Sequence, residues 1–171
     1  MRKRVLWLSL GGIAVLGLAA LVLRPVRWVL LQRGLEARHA NVAWISTDQL
    51  AAELASDSPP TLLDVRQPDE IAVSQIPGAI PVSPEAPMDS LRQLELAGPV
   101  VVYCSVGARS ATLAERLEAA GIDSVRNLRG SIFAWANEGR PLVRAGEPVE
   151  TVHPYDAAWG TYLKPSLRAD L

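Results

Sequence analysis

The sequence predicts an α/β domain built on a central, mostly parallel sheet of about five strands with helices on both faces, preceded by one N-terminal transmembrane helix. Three observations predict it. From Asn41 onward, short β-rich runs alternate with stretches of helical spacing. The run Val100-Val101-Val102-Tyr103 is apolar throughout, as suits a central strand covered on both sides. Val5 to Leu23 is an uncharged run of 19 residues, about the length that crosses a bilayer as a helix.

At 171 residues the chain fits one domain with an appendage. Its 17 basic and 18 acidic residues leave a formal charge of -1, so no polyelectrolyte field points to nucleic acid. A single cysteine excludes an internal disulfide and any multi-cysteine metal site. His39 and His153 have no ligand-spaced companions, so neither is read as a metal ligand.

The N-terminal run is read as a retained single-pass anchor, residues 1–24, rather than a cleaved signal peptide. Signal h-regions are roughly 7 to 15 residues long and end at a small-x-small site, whereas this run is longer and meets Arg24-Pro25. The expected location is a membrane, of the bacterial inner-membrane type, contacted through Val5–Leu23. Basic residues stand on both flanks, Arg2, Lys3 and Arg4 against Arg24, Arg27, Arg33 and Arg38, so charge does not decide which side bears the domain. Residues 25–40 form a stalk, with Arg27 and Trp28 suited to the headgroup zone.

Within the domain, residues 41–145, Val42 to Ile45 reads as the first strand, and Ser46 with Gln49 has the spacing of a capping box that opens a helix to about Ala55. Thr61 to Val65 is a short buried strand; Gln67-Pro68-Asp69-Glu70 starts a brief helix, and Ile76 to Ile80 leads to another edge. Met88 to Leu96 has helical spacing through Met88, Leu91 and Leu94. After the apolar strand, Ser110 to Ala120 is the clearest helix, with Ser110 as N-cap and Gly121 as its stop. Val125 to Leu128 is the last strand and Ser131 to Glu138 the last helix, in which Trp135 is expected to pack inward. Beyond Leu142 no period is visible. Residues 146–171 form a C-terminal extension whose aromatic stretch, His153 to Gly160, is expected to wrap the domain or to dock on a partner or membrane.

Cys104 stands where the apolar strand ends and a helix is about to begin, separated from it by Ser105, Val106, Gly107, Ala108 and Arg109. Ligands in open α/β sheets sit at that edge. A tight loop there turns backbone N–H groups inward and the helix adds its positive end, so an anion is attracted. A thiolate is such an anion, and stabilising it lowers the cysteine pKa and makes the sulfur nucleophilic near neutral pH. A lone cysteine is more often an inert core residue. Cys104 follows the strand rather than lying inside it, which favours the functional reading.

These residues carry a family resemblance. Cys104-Ser105-Val106-Gly107-Ala108-Arg109-Ser110 resembles the active-site loop of the rhodanese family, and four further stretches resemble its motifs in order: Leu62 to Arg66, Ile76 to Ile80, Asn127 to Ser131, and Trp135 to Pro141. The resemblance spans about Val42 to Val143 and implies a three-layer rhodanese-like fold. Four residues separate Cys104 from Arg109, whereas cysteine phosphatases place five there, so the loop resembles that of the sulfurtransferases.

By this resemblance, Cys104 takes a sulfane sulfur from a small-molecule donor such as thiosulfate or a persulfide and passes it to an acceptor. The amides of residues 105 to 109 hold the persulfide, and Arg109 either attracts the anionic donor or braces the loop. Asp64, Arg66 and Ser110 are supporting residues, with clamping favoured over contact for the first two. No second cysteine can resolve the persulfide, so the acceptor is external, cyanide or a thiol. No metal or organic cofactor is implied. The alternatives are a non-catalytic binding or sensing module and, below it, phosphatase or arsenate chemistry on the same loop.

Overall fold

The structure, a computed structural model, describes residues 23–93, 96 and 98–170. The expected transmembrane helix lies outside these residues except for Leu23; among the described residues no helix is long and apolar enough to cross a membrane. Helix α1 covers residues 23–38 in its described part. The chain divides into two compact units between Gly34 and Leu35, and the C-terminal residues 146–170 belong to the same unit as the α/β domain.

That domain holds β1 (Ala43–Ile45), α2 (Thr47–Leu54), β2 (Thr61–Asp64), α3 (Pro68–Val73), β3 (Ile80–Pro81), α4 (Met88–Arg92), β4 (Val100–Tyr103), α5 (Ala108–Ala119), β5 (Val125–Leu128) and α6 (Ser131–Asn137). Five strands form one sheet in the order β1-β5-β4-β2-β3, and every pairing in it is parallel. β4 is therefore the central strand, and all four of its residues are buried. Successive side chains of a strand point to opposite faces. Val100, Val102 and Cys104 join Leu63, Leu91, Leu113 and Leu117 in one apolar cluster, while Val101 and Tyr103 on the other face are no less buried. Both faces are thus covered, which explains the unbroken apolar run.

The capping box that opens α2 is present: Gln49 N–H donates to Ser46 Oγ at 3.2 Å and Ser46 N–H to Gln49 Oε1 at 3.0 Å. Two expected boundaries move. α4 stops at Arg92, with Gln93 as its C-cap, so the expected helix to Leu96 is shorter, and Leu94 is outside the described residues. α5 begins at Ala108 with Gly107 as its N-cap, not at Ser110. The cause is the backbone of Gly107, whose φ of 108° turns the chain into the helix two residues early. Ser110 is accordingly a fully buried first-turn residue, and Ala108 and Arg109 are helical rather than loop.

A further hairpin, β6 (Leu142–Arg144) with β7 (Glu147–Val149), occupies the stretch where the sequence shows no period. Its two-residue turn is Ala145-Gly146, both at positive φ, as primed turns require. Gln75 and Val143 exchange backbone hydrogen bonds of 2.7 and 2.9 Å and tie this hairpin to the segment after α3.

α6 is the element that carries the loop after β4. Its Ile132 and Phe133 amides donate to the carbonyls of Cys104 and Ser105 at 3.2 and 3.1 Å, and Phe133 is fully buried. Phe133→Ala is expected to cost about 3–5 kcal/mol of unfolding free energy through the cavity it leaves. Urea titration checks the loss.

Candidate active site

The residues after β4 form a tight loop around one sulfur atom. Cys104 is 1 % exposed, and its Sγ accepts a hydrogen bond from the Gly107 N–H at 3.1 Å. Three anchors hold the loop in this shape. Cys104 N–H donates to Ser131 Oγ at 3.1 Å, and that hydroxyl donates in turn to the Leu128 carbonyl at 3.2 Å. Asn127 Nδ2 donates to the Gly107 carbonyl at 2.8 Å. Ser131 itself adopts a φ of 50°, unusual for a residue with a side chain. Its hydroxyl does for the Cys104 amide what a glycine at that position could not.

The sulfur lines a cleft of about 160 Å³. The walls are Cys104, Ser105, Val106, Ala108 and Arg109, together with Tyr155 and Trp159 from the C-terminal segment. The expected loop residues are therefore gathered at one place, although Val106 (5 % exposed) contributes apolar surface.

Glu70 is the functional residue that sequence reasoning passed over. It sits in the first turn of α3, 2 % exposed, and its carboxylate accepts from Arg109 at 2.6 and 2.8 Å, from Ser105 Oγ at 2.6 Å, and from the Gln67 N–H at 3.0 Å. Arg109 also donates to Ser105 Oγ at 2.9 Å. The guanidinium thus braces the loop through a carboxylate. The available signal was its place: the last acidic residue of the turn Gln67-Pro68-Asp69-Glu70, just beyond the carboxyl edge of β2, where α/β sites form.

Electrostatics favour the thiolate. Burial pushes the Cys104 thiol up, but the Arg109 charge, the Ser110 hydroxyl and amide, and the Gly107 amide together bring it below its ordinary value. Ser110 Oγ is fully buried and has no hydrogen-bond partner among the described residues. Burial also disfavours the Glu70 carboxylate, yet Arg109, Ser105 and the Gln67 amide hold its pKa below the usual value. Arg109 is shifted upward: burial opposes its charge, and Glu70 and Cys104 outweigh that.

Asp64 and Arg66 form a separate, fully buried clamp beneath the loop. Arg66 donates to Asp64 at 2.9 and 2.7 Å, to the Ser74 carbonyl at 2.5 Å and to the Glu70 carbonyl at 3.4 Å. Tyr103 O–H donates to Asp64 at 2.6 Å and accepts from the Ile76 N–H at 3.1 Å. These bonds fix the segment 64–76, and with it Glu70; none goes to the Cys104 sulfur. Among the described residues no group of His, Cys, Asp and Glu side chains is arranged to hold a metal ion.

Known proteins resemble this chain over the same region. The family model for the Rhodanese-like domain matches residues 46–138. A sulfurtransferase of Allochromatium vinosum is 36% identical over 99 residues, which cover 58% of this chain and 92% of the relative. A thiosulfate sulfurtransferase of Actinobacillus pleuropneumoniae is 30% identical over 95 residues, covering 56% and 88%. Among solved structures, a rhodanese-like domain protein from Staphylococcus aureus aligns with a TM-score of 0.54 at 34% identity, over 60% of this chain and 98% of that one.

Two predictions follow from the geometry. The rate of Cys104 alkylation against pH is expected to show a midpoint below the free-thiol value of about 8.5, and Arg109→Gln is expected to move it upward. For Glu70, a depressed carboxylate contributes stability that is complete above the ordinary value of 4.5 and is lost as pH falls through the lower, folded value. The unfolding free-energy difference between wild type and Glu70→Gln, measured in urea, is therefore expected to be full at pH 7 and to shrink below that range.

Proposed function

Because this chain belongs to the rhodanese-like domain family, we propose that it is a sulfurtransferase that carries sulfane sulfur on Cys104, taking it from thiosulfate or a persulfide donor and giving it to an external thiol or cyanide. The observation that carries this reading is the sulfur of Cys104 held by the Gly107 amide at the wall of a small cleft.

In the first step the Cys104 thiolate attacks the terminal sulfur of thiosulfate. A new S–S bond forms, the donor's S–S bond breaks, and sulfite leaves with the electron pair. The charge then sits on the outer sulfur of the persulfide, one atom further into the cleft. The groups that favour the thiolate, the Arg109 charge, the Ser110 hydroxyl and amide and the Gly107 amide, would favour that charge as well. In the second step an acceptor thiolate or cyanide attacks the outer sulfur, and Cys104 leaves as the thiolate it began as. The first step needs the deprotonated sulfur, and lowering the thiol pKa raises that fraction near neutral pH.

The acceptor must come from outside, since Cys104 is the chain's only cysteine. Arg109 is bound on one side by Glu70, so it supplies field and loop rigidity more than a free fork for the donor.

The proposal extends to location. The uncharged run Val5–Leu23 is of bilayer length, and on the described part of α1 the side chains of Leu23, Val26, Val29 and Leu30 are exposed. Their spacing lies along one helical stripe, an apolar surface that a bilayer or its interface would cover. The full chain is expected to stay with the membrane pellet after alkaline extraction, whereas the chain lacking residues 1–22 is expected in the supernatant; pellet-free full chain would contradict the anchor.

Activity is tested by thiosulfate:cyanide transfer. Cys104→Ala is expected to lower the rate by roughly three orders of magnitude. Equal rates for variant and wild type would remove Cys104 from the reaction, and phosphate-ester turnover without sulfur transfer would point to phosphatase chemistry instead.

A further inference from the structure

The C-terminal segment is wound onto the domain and reaches the cleft. Val152 and Leu163 are fully buried; Val152 N–H donates to the Leu167 carbonyl at 2.7 Å and Ala169 N–H to the Val152 carbonyl at 3.0 Å. Asn137 of α6 donates to the Tyr162 carbonyl at 2.8 Å and accepts from the Lys164 N–H at 2.9 Å. Both ends of the segment are thereby fixed, and the turn between them is presented to Cys104.

That turn is built against backbone preference. Tyr155 has a φ of 69°, a strained setting for an aromatic residue that persists only where the surroundings impose it. They do so here: Tyr155 N–H donates to His153 Nδ1 at 3.0 Å, Trp159 N–H to Asp156 Oδ1 at 2.8 Å, and Gly160 N–H to the Asp156 carbonyl at 2.9 Å. Gly160 lies so close to Pro154 that a Cβ there would come within 2.8 Å of the proline ring. Yet Tyr155 is 47 % exposed, so apolar burial does not account for its placement. Its ring lies 5.1 Å from the Arg109 guanidinium, and Tyr155 and Trp159 both line the cleft beside Cys104. Both residues fall beyond the region 46–138 matched by the family.

We propose that Tyr155 and Trp159 are specificity-determining residues, an aromatic wall that restricts the Cys104 cleft to sulfur donors with a small carrier group. The inference rests on the sulfurtransferase reading. Pockets that enclose drug-sized molecules run roughly 300–1,000 Å³, and the cleft holds about 160 Å³. Such a space admits a sulfane sulfur on an inorganic or single-amino-acid carrier. A peptide carrier meets the wall.

Cysteine persulfide and glutathione persulfide share the same transfer chemistry, in which the Cys104 thiolate takes the outer sulfur and the donor leaves as a thiolate. They differ in bulk and in charge near the reacting atoms, since the ammonium and carboxylate of cysteine persulfide are amides in glutathione persulfide. The test measures kcat/KM for both donors with the full chain, in wild type, Tyr155→Ala, Trp159→Ala and the double variant, with Tyr155→Phe and Trp159→Phe as variants that keep the wall. Wild type is expected to prefer cysteine persulfide. The double alanine variant is expected to shift the ratio at least tenfold toward glutathione persulfide, chiefly through KM, while the phenylalanine variants keep the wild-type ratio. A ratio unchanged in the double variant, with transfer intact in wild type, overturns the wall. If wild type takes sulfur from neither donor nor thiosulfate, the sulfurtransferase reading fails and the wall with it.

Discussion

The site depends on one electrostatic constraint: a sulfur anion that is almost wholly buried must find its hydrogen-bond donors in the protein. The Arg109 charge favours the anion, but Glu70 binds both of its terminal nitrogens. The donor observed on the sulfur is the Gly107 amide, and the Ser110 amide and hydroxyl also favour the thiolate. The inward aim of the Gly107 amide goes with the positive φ of that residue, and the turn is held from outside by Asn127 and Ser131. The sulfur's reactivity thus rests on the Arg109 charge and on a backbone shape imposed by residues from β5 and α6.

Glu70 and the Asp64–Arg66 clamp extend this constraint outward. A buried ion pair contributes little net stability relative to apolar packing, but leaving one partner unpaired costs several kcal/mol. The Asp64 and Arg66 side chains and the Tyr103 hydroxyl are knotted into one network that also takes in the Glu70 and Ser74 carbonyls, which holds the segment 64–76 in place. That arrangement delivers the Glu70 carboxylate to Arg109 and Ser105. The pairing of Gln75 with Val143 pins its far end.

Much of this was legible in the sequence because the signals are local. The apolar run of β4 states its own burial, Ser46 and Gln49 state the start of α2, and a cysteine directly after a buried parallel strand states where chemistry can occur. The N-cap of α5 was misplaced because serine is the commoner cap, while the loop's curvature asked for glycine. Glu70 looked like an ordinary acidic first-turn residue; its role arises only when the fold brings β2 and β4 together in register. The hairpin β6–β7 lacks the usual Asn-Gly turn signal and has a proline in its second strand, so nothing short-range announced it. The position of Tyr155 and Trp159 at the cleft also needs contacts distant in sequence, such as those of Asn137 with Tyr162 and Lys164.

On the proposed chemistry, the atom held by the Gly107 amide accepts and carries a sulfur. The most direct test is the mass of the intact chain after brief treatment with thiosulfate, followed by peptide mapping. A gain of one sulfur atom, localised to Cys104 and removed by cyanide, is expected. An unchanged mass, with the chain folded and Cys104 reduced, would contradict it.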